Sequence, residues 1–293
     1  MSPEGVPSAH PGLSWAAATE AGREWLQRLP RLVEECQEKW SLLLGDPFAC
    51  AYASLAMPAT LPDGGEAVLK ICLPDRESEY EAEALVHWNG QGAVRLLAHD
   101  PERRALLLER CRPGNHLREL GPDAALDVLV GLLPRLWIPA GEPFRPLADE
   151  AEWWASYLPE KWERAGQPFE KELLEAALEA VSELVPTQGE AVLVNQDLHA
   201  DNILRAEREP WLAIDPKPLL GEREFGLAPV IRAYELGHSE QDVRHRLDSL
   251  TTELGLERER ARGWALSQTL AWAWENDEVL PLHIETARWL ASA

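Results

Sequence analysis

From Trp15 to Leu43 apolar side chains recur at every third or fourth position (Trp15, Ala18, Trp25, Leu29, Leu32, Val33, Cys36, Trp40), a spacing that predicts two helices separated at Pro30. The pattern then shortens. Apolar runs at 49–56, 66–73, 93–98 and 105–110, with a turn signal at Asp63-Gly64-Gly65, predict strands, interrupted by one helical segment over 77–89. Beyond Cys111-Arg112-Pro113-Gly114 the helical spacing returns, predicting helices over 115–139, 148–164, 168–185, 222–235, 239–254, 257–276 and 282–292. The chain therefore reads as an α+β protein of two lobes. Residues 1–112 hold N-terminal helices, an antiparallel sheet and one further helix, and residues 113–293 form a larger, mostly helical lobe.

One stretch of the second lobe breaks the helical pattern. Residues 192–217, VLVNQDLHADNILRAEREPWLAIDPK, read as an apolar strand, a polar loop, a hairpin and a second apolar strand that ends in Asp215. The loop carries Asp197, His199, Asp201 and Asn202. An Asp and an Asn five apart on one loop, followed by an Asp after a separate strand, is the order that protein kinases use for phosphoryl transfer. The residue types suit that chemistry. The transition state is loose, so the protein mainly positions the reactants and neutralises charge. A carboxylate beside the acceptor hydroxyl orients it and takes its proton, and magnesium favours oxygen ligands with only one or two carboxylates. Asp197 is thus expected to be catalytic, and Asn202 and Asp215 to be magnesium ligands. His199 is expected to hold the loop backbone. Lys217 is read equally as a phosphate contact or as a surface or capping lysine.

Composition narrows the setting. The formal net charge of −22 disfavours nucleic acid and anionic membranes and favours a cationic small-molecule ligand. The start, MSPEGVPSAHPGL, has no basic segment followed by an apolar one, and the longest apolar run, 124–140, is broken by Asp127, Pro134 and Arg135. Cys36, Cys50, Cys72 and Cys111 form no CxxC pair, so a reducing, cytoplasmic setting is expected. No motif calls for an obligate protein partner. Most of the 13 tryptophans are expected to serve packing.

The basic residues are mostly Arg, which makes each of Lys39, Lys70, Lys161, Lys171 and Lys217 informative. Lys70 lies in the apolar strand AVLKI, where an ammonium group needs a partner. A kinase strand lysine pairs there with nucleotide phosphates and with a Glu on the next helix. Glu81 and Glu83 both qualify, and Glu81 is preferred because it lies one turn before Leu85. The loop Gly45–Ser54 stands where a phosphate-covering loop is expected, without the usual glycines. The segment Glu109–Cys111 is expected to meet the nucleotide base through its backbone, which leaves ATP and GTP undistinguished.

The strand lysine, the helix Glu, the ERCRPG junction, NQDLHADNIL and IDPKPLLGEREFG together resemble the aminoglycoside phosphotransferase family over about residues 40–290. They are most similar to its branch of streptomycin 6-phosphotransferases and hydroxyurea kinases, where DPK stands in place of DFG. The resemblance implies a protein-kinase-like fold with nucleotide and Mg2+ in the cleft, and transfer of the γ-phosphate of ATP or GTP to a hydroxyl of a small molecule, streptomycin-like acceptors being favoured. A metabolic or detoxifying kinase with another acceptor, and a nucleotide-binding pseudokinase, are the alternatives. Two departures stand out: Asn195-Gln196-Asp197 replaces His-Gly-Asp, and Gly226 occupies a position that often carries a carboxylate. Asp149, Glu150, Glu152, Glu275 and Asp277 are candidates for facing a cationic acceptor.

Overall fold

Alternation of buried and less buried side chains from Leu55 to Thr60 marks the strand on which the first unit is built. The computed structural model describes residues 11–49, 53–275 and 277–293, and the chain divides into two compact units, Met1–Arg112 and Pro113–Ala293. The N-terminal segment 1–10, residues 50–52 of the expected phosphate-covering loop and first strand, and Asn276 lie outside the described residues.

In the first unit a 3-10 turn (Pro11–Ala18) leads into α1 (Glu20–Trp40), followed by β1 (Leu43–Leu44), β2 (Ser54–Thr60), β3 (Glu66–Cys72), α2 (Glu81–Trp88), β4 (Leu96–Asp100) and β5 (Ala105–Glu109). The strands form one antiparallel sheet in the order β1-β2-β3-β5-β4. Because strand side chains alternate between faces, Leu55, Met57 and Ala59 share a face with Ala67, Leu69 and Ile71. Those residues form a single core with Trp25, Leu29, Leu32, Val33 and Cys36 of α1. The strand expected at 49–56 instead runs through Ala59 because this register, Leu55 opposite Ile71 and Met57 opposite Leu69, buries its apolar face. Pro58 fits within it, since its carbonyl accepts from the Gly45 amide at 2.8 Å and no donor is needed there.

Pro30 does not divide the first helix. It lies on the exposed side of a continuous α1, while the buried stripe Trp25, Leu29, Leu32, Val33 and Cys36 runs past it on the core side. Packing of that stripe offsets the roughly 3 kcal/mol an interior proline costs. The helix expected at 77–89 starts only at Glu81, because Asp75 Oδ1 accepts from the amides of Glu77 and Ser78, both at 2.7 Å, and holds them in a turn.

The second unit contains α3 (Pro122–Leu136), α4 (Leu147–Arg164), α5 (Lys171–Leu184), β6 (Val192–Asn195), β7 (Ile203–Arg205), β8 (Trp211–Ala213), β9 (Pro218–Gly221), α6 (Ala228–Ile231), α7 (Glu240–Leu254), α8 (Arg258–Ala271), β10 (Trp274–Glu275), β11 (Glu278–Val279) and α9 (Pro281–Ala291). The helix α8 is buried continuously from Gly263 to Ala271 and packs against α5, α7 and α9, which makes it the central rod of the unit. The helix expected at 222–235 is broken into α6 and 3-10 turns at 225–227 and 234–236. The cause is Arg246 on α7. Its buried guanidinium donates to the carbonyls of Ile231 (3.1 and 3.0 Å), Leu236 (3.0 Å) and Gly237 (2.9 Å), pinning the chain where a longer helix would have turned. Burial pushes Arg246 down to about 10, so it keeps its charge at neutral pH.

Among the described residues no helix is long and apolar enough to cross a membrane, and no disulfide joins the buried Cys36, Cys72 and Cys111.

Candidate active site

Lys70 stands in the middle strand of the sheet, opposite Ala56 on β2 and Leu106 on β5, on the face away from the α1 core. It is only 5% exposed, and an edge-strand lysine reaching for solvent is thereby excluded. Its Nζ donates to both oxygens of Glu81 at 2.6 Å, and Glu81 itself is 2% exposed. Glu81 opens α2, where a carboxylate is favoured by the helix dipole, and Cys72 Sγ also meets it at 3.5 Å. Of the two candidate glutamates, Glu81 is the one bonded to Lys70. At the end of β5 the Glu109 amide donates to the Arg95 carbonyl at 2.9 Å and its carboxylate accepts from the Arg95 amide at 3.0 Å; Cys111 beyond it is buried.

In the second unit two short antiparallel pairs, β6 with β9 and β7 with β8, bring the segments of the predicted loop together. Asn195, the last residue of β6, is the joint. Its Oδ1 accepts from the amides of both Asp197 and Lys217 at 3.0 Å, and the Gln196 amide donates to the Lys217 carbonyl at 3.0 Å. One side-chain amide therefore fixes the Asp197 loop against the segment that follows Asp215. The departure from His-Gly-Asp costs no support here, since Asn195 supplies it. Asn202 Nδ2 donates to the Asp197 carbonyl at 3.0 Å, which leaves its Oδ1 as the end suited to a cation. Pairing of Ile203 with Ala213, and the Ile214 amide bonded to the Asn202 carbonyl at 2.9 Å, set Asn202 beside the start of the Asp215 turn. Asp215 has φ of 50°, a left-handed conformation that Asp tolerates better than most residues. A carboxylate and an amide oxygen form a hard donor set that fits magnesium.

The Asp197 carboxylate is only 14% exposed and sits among cations: Lys217 Nζ at 3.0 Å, Arg232 Nη2 at 3.4 Å and His199 Nε2 at 3.8 Å. His199 also faces Glu235, whose Oε1 is 3.4 Å from Nδ1 and accepts from the Ala200 amide at 2.8 Å. Burial works against a charged His199, but the Glu235 bond and the Asp197 charge outweigh it and hold the imidazole above its usual range. Burial likewise works against a charged Glu235, and His199 holds that carboxyl below its usual range. The pair stays oppositely charged over a wider pH range than either group alone and braces the loop. Behind it, Gln268 of α8 donates to the Gln196 carbonyl at 2.8 Å.

The second departure has a steric cause. A Cβ on Gly226 would lie 2.5 Å from Nε1 of the buried Trp137, so this position has no room for a carboxylate. Among the residues proposed to face an acceptor, Glu150 is excluded. It is fully buried and bonded to Arg145 at 2.8 Å, a structural pair. Asp277 is exposed and pairs with Arg164 at 3.2 Å, while Asp149, Glu152 and Glu275 are exposed. Lys217 is not a surface lysine, being paired to Asp197 with its side chain 16% exposed. Arg232, Glu235, Gln268 and Trp272 escaped the sequence reading, since the first two lay inside an expected helix and the others on or beside α8.

A sequence model of the aminoglycoside/hydroxyurea antibiotic resistance kinase family matches residues 39–279. A streptomycin 6-kinase of Streptomyces glaucescens is 41% identical over 258 residues, covering 86% of this chain and 84% of its own length. A hydroxyurea phosphotransferase of Kitasatospora aureofaciens is 41% identical over 267 residues, covering 88% and 77% respectively. Among solved structures, the choline kinase LicA from Streptococcus pneumoniae matches with a TM-score of 0.63 at 13% identity, over 90% of this chain and all (100%) of that one. A thermostable mutant of the aminoglycoside phosphotransferase APH(4)-Ia matches with a TM-score of 0.59 at 14% identity, over 88% and 95%. These two likenesses show that the α+β fold is of the protein-kinase-like kind.

Proposed function

The chain belongs to the aminoglycoside/hydroxyurea antibiotic resistance kinase family, and from that premise we propose that it transfers the γ-phosphoryl group of a nucleoside triphosphate, ATP or GTP, to a hydroxyl of a streptomycin-like aminoglycoside. The observation that carries the reading is the Asn195 joint, which fixes Asp197 and the Asp215 segment as one assembly.

On this reading the acceptor hydroxyl donates to the Asp197 carboxylate. Its oxygen attacks the γ-phosphorus in line, the bond to the β,γ-bridging oxygen breaks, and the nucleoside diphosphate leaves with that electron pair. The hydroxyl proton passes late to Asp197. Asn202 Oδ1 and Asp215 would hold magnesium, which supplies charge neutralisation on the nucleotide phosphates when bound. The buried Lys70, oriented by Glu81, would meet the α and β phosphates, and the backbone of Glu109–Cys111 the base. The negative net charge suits a cationic acceptor. A second acceptor class, a small neutral N-hydroxy compound, is favoured by the equal identity to the hydroxyurea phosphotransferase. Both proposed acceptors serve a cytoplasmic detoxifying kinase.

Asp215→Ala tests the assignment. The expected outcome is magnesium-dependent transfer lowered at least about 100-fold at every magnesium concentration, the loss typical of one transition-state electrostatic group, while stability falls by only about 1 kcal/mol, the strain of Ala at the left-handed φ of this position. Full transfer by the variant at saturating magnesium would remove Asp215 from the site. Nucleotide binding without any turnover by the parent protein would instead point to a pseudokinase.

A further inference from the structure

The Asp197 carboxylate has two cations converging on it, and both rest on one aromatic ring. Lys217 Nζ is 3.0 Å from Asp197 Oδ2 and 4.9 Å from the centroid of the Trp272 ring. Arg232 Nη2 is 3.4 Å from Asp197 Oδ1, with Cζ 4.5 Å from the same centroid. The three charged groups come from different segments: the loop after β6, the turn before β9 and the end of α6. Trp272, just after α8, is the shared support. An indole face attracts cations without cancelling their charge, as a carboxylate support would. It therefore fixes Lys217 and Arg232 while keeping them electrostatically available.

If Asp197 orients the acceptor hydroxyl, the position of the transferred phosphate is constrained. A hydroxyl at about 2.7 Å from the carboxylate, and a phosphorus about 3.3 Å beyond it in line, place the phosphorus within roughly 6 Å of Asp197. Cations that already reach the carboxylate oxygens reach non-bridging oxygens there by small side-chain rotations. Arg presents a planar fork matched to phosphate, and Lys a flexible point charge.

We propose that Lys217 and Arg232, held on Trp272, are catalytic residues that bind the transferring phosphoryl group: they hold Asp197 before substrate arrives and pass to the phosphoryl oxygens as the acceptor hydroxyl takes their place. The proposal rests on the reading of Asp197 as the hydroxyl-orienting group. The bonds made and broken are those of that transfer. The acceptor oxygen bonds to phosphorus, the bridging oxygen departs with its electron pair, the proton goes to Asp197, and the two cations neutralise charge without gaining or losing a proton.

The test is steady-state kinetics of Lys217→Met, Lys217→Arg, Arg232→Met and Trp272→Leu beside Asp197→Asn, with nucleotide affinity and thermal unfolding measured on each. The proposal expects kcat to fall about 100-fold or more in both Met variants, with nucleotide affinity and acceptor KM within about threefold. Lys217→Arg recovers part of the loss, and Trp272→Leu lowers kcat by roughly tenfold with affinity intact. Unchanged kcat in the Met variants, or a loss confined to KM or to unfolding temperature that Lys217→Arg shares, would overturn it. If Asp197→Asn is inactive while the Met variants keep full kcat, this inference alone falls. If Asp197→Asn stays fully active, the reading beneath it falls.

Discussion

Asp197→Ala lowers turnover at least about 100-fold while nucleotide affinity stays near that of the parent, the result expected when a positioned acid–base group is removed from a loop that keeps its shape. The loop does not depend on the deleted carboxylate. Its backbone is held by Asn195 Oδ1 on the Asp197 amide, by Asn202 Nδ2 on the Asp197 carbonyl and by Gln268 on the Gln196 carbonyl, and none of these bonds uses the Asp197 side chain. Lys217 and Arg232 lose their carboxylate partner but retain Trp272. Steady-state rates paired with a nucleotide titration separate the two effects. A variant that binds nucleotide poorly yet turns over normally once saturated would place Asp197 among binding residues instead.

Glu222→Ala is the substitution expected to damage the fold most. This carboxylate is 1% exposed and accepts four hydrogen bonds from three donors: Arg260 Nη2 at 2.7 and 2.9 Å to its two oxygens, the Gly189 amide at 2.8 Å, and Trp264 Nε1. Its partner Arg260 keeps 18% of its side chain exposed, so water screens part of the charge left behind and the ion-pair loss sits at the low end of the roughly 3–5 kcal/mol of a buried pair. The indole and amide donors would also be stranded. Since Glu222 directly follows β9, whose first residue follows Lys217, the loss spreads to the candidate site through the strand. Urea unfolding measures it as a lower midpoint with an unchanged slope. A midpoint equal to that of the parent would show that water replaces the carboxylate without cost, contrary to the burial argument.

The residues of the candidate site were legible in the sequence where chemistry is local. Lys70 stood out as a charge in an apolar strand, and Asp197, Asn202 and Asp215 through their order across two strands and a loop. The partners of those residues were not legible. Arg232 lies 35 residues from Asp197 and Trp272 further still, and nothing in helical periodicity says that a segment will break to present its arginine to a carboxylate. The break itself comes from Arg246, whose burial is a property of the packed unit. Pro30 misled in the opposite direction: a local helix breaker is overridden when the apolar stripe on either side packs as one surface. Glu150 shows the same limit for charge. Its place in a helical lobe made it a candidate for facing a cationic acceptor, whereas Arg145 five positions earlier draws it into a buried pair. Gly226, read as a lost carboxylate, is explained only by the Trp137 indole that fills its space.

The most direct test of the central claim is mass spectrometry of an acceptor panel after incubation with the protein, magnesium and either ATP or GTP. The panel holds streptomycin, other aminoglycosides, cyclic peptide antibiotics and hydroxyurea, with the Asp197→Ala protein as control. The account predicts a mass gain of one phosphate on streptomycin or a close relative, absent from the control. Phosphorylation that persists in the Asp197→Ala protein, or nucleotide turnover with no panel member modified, would contradict it.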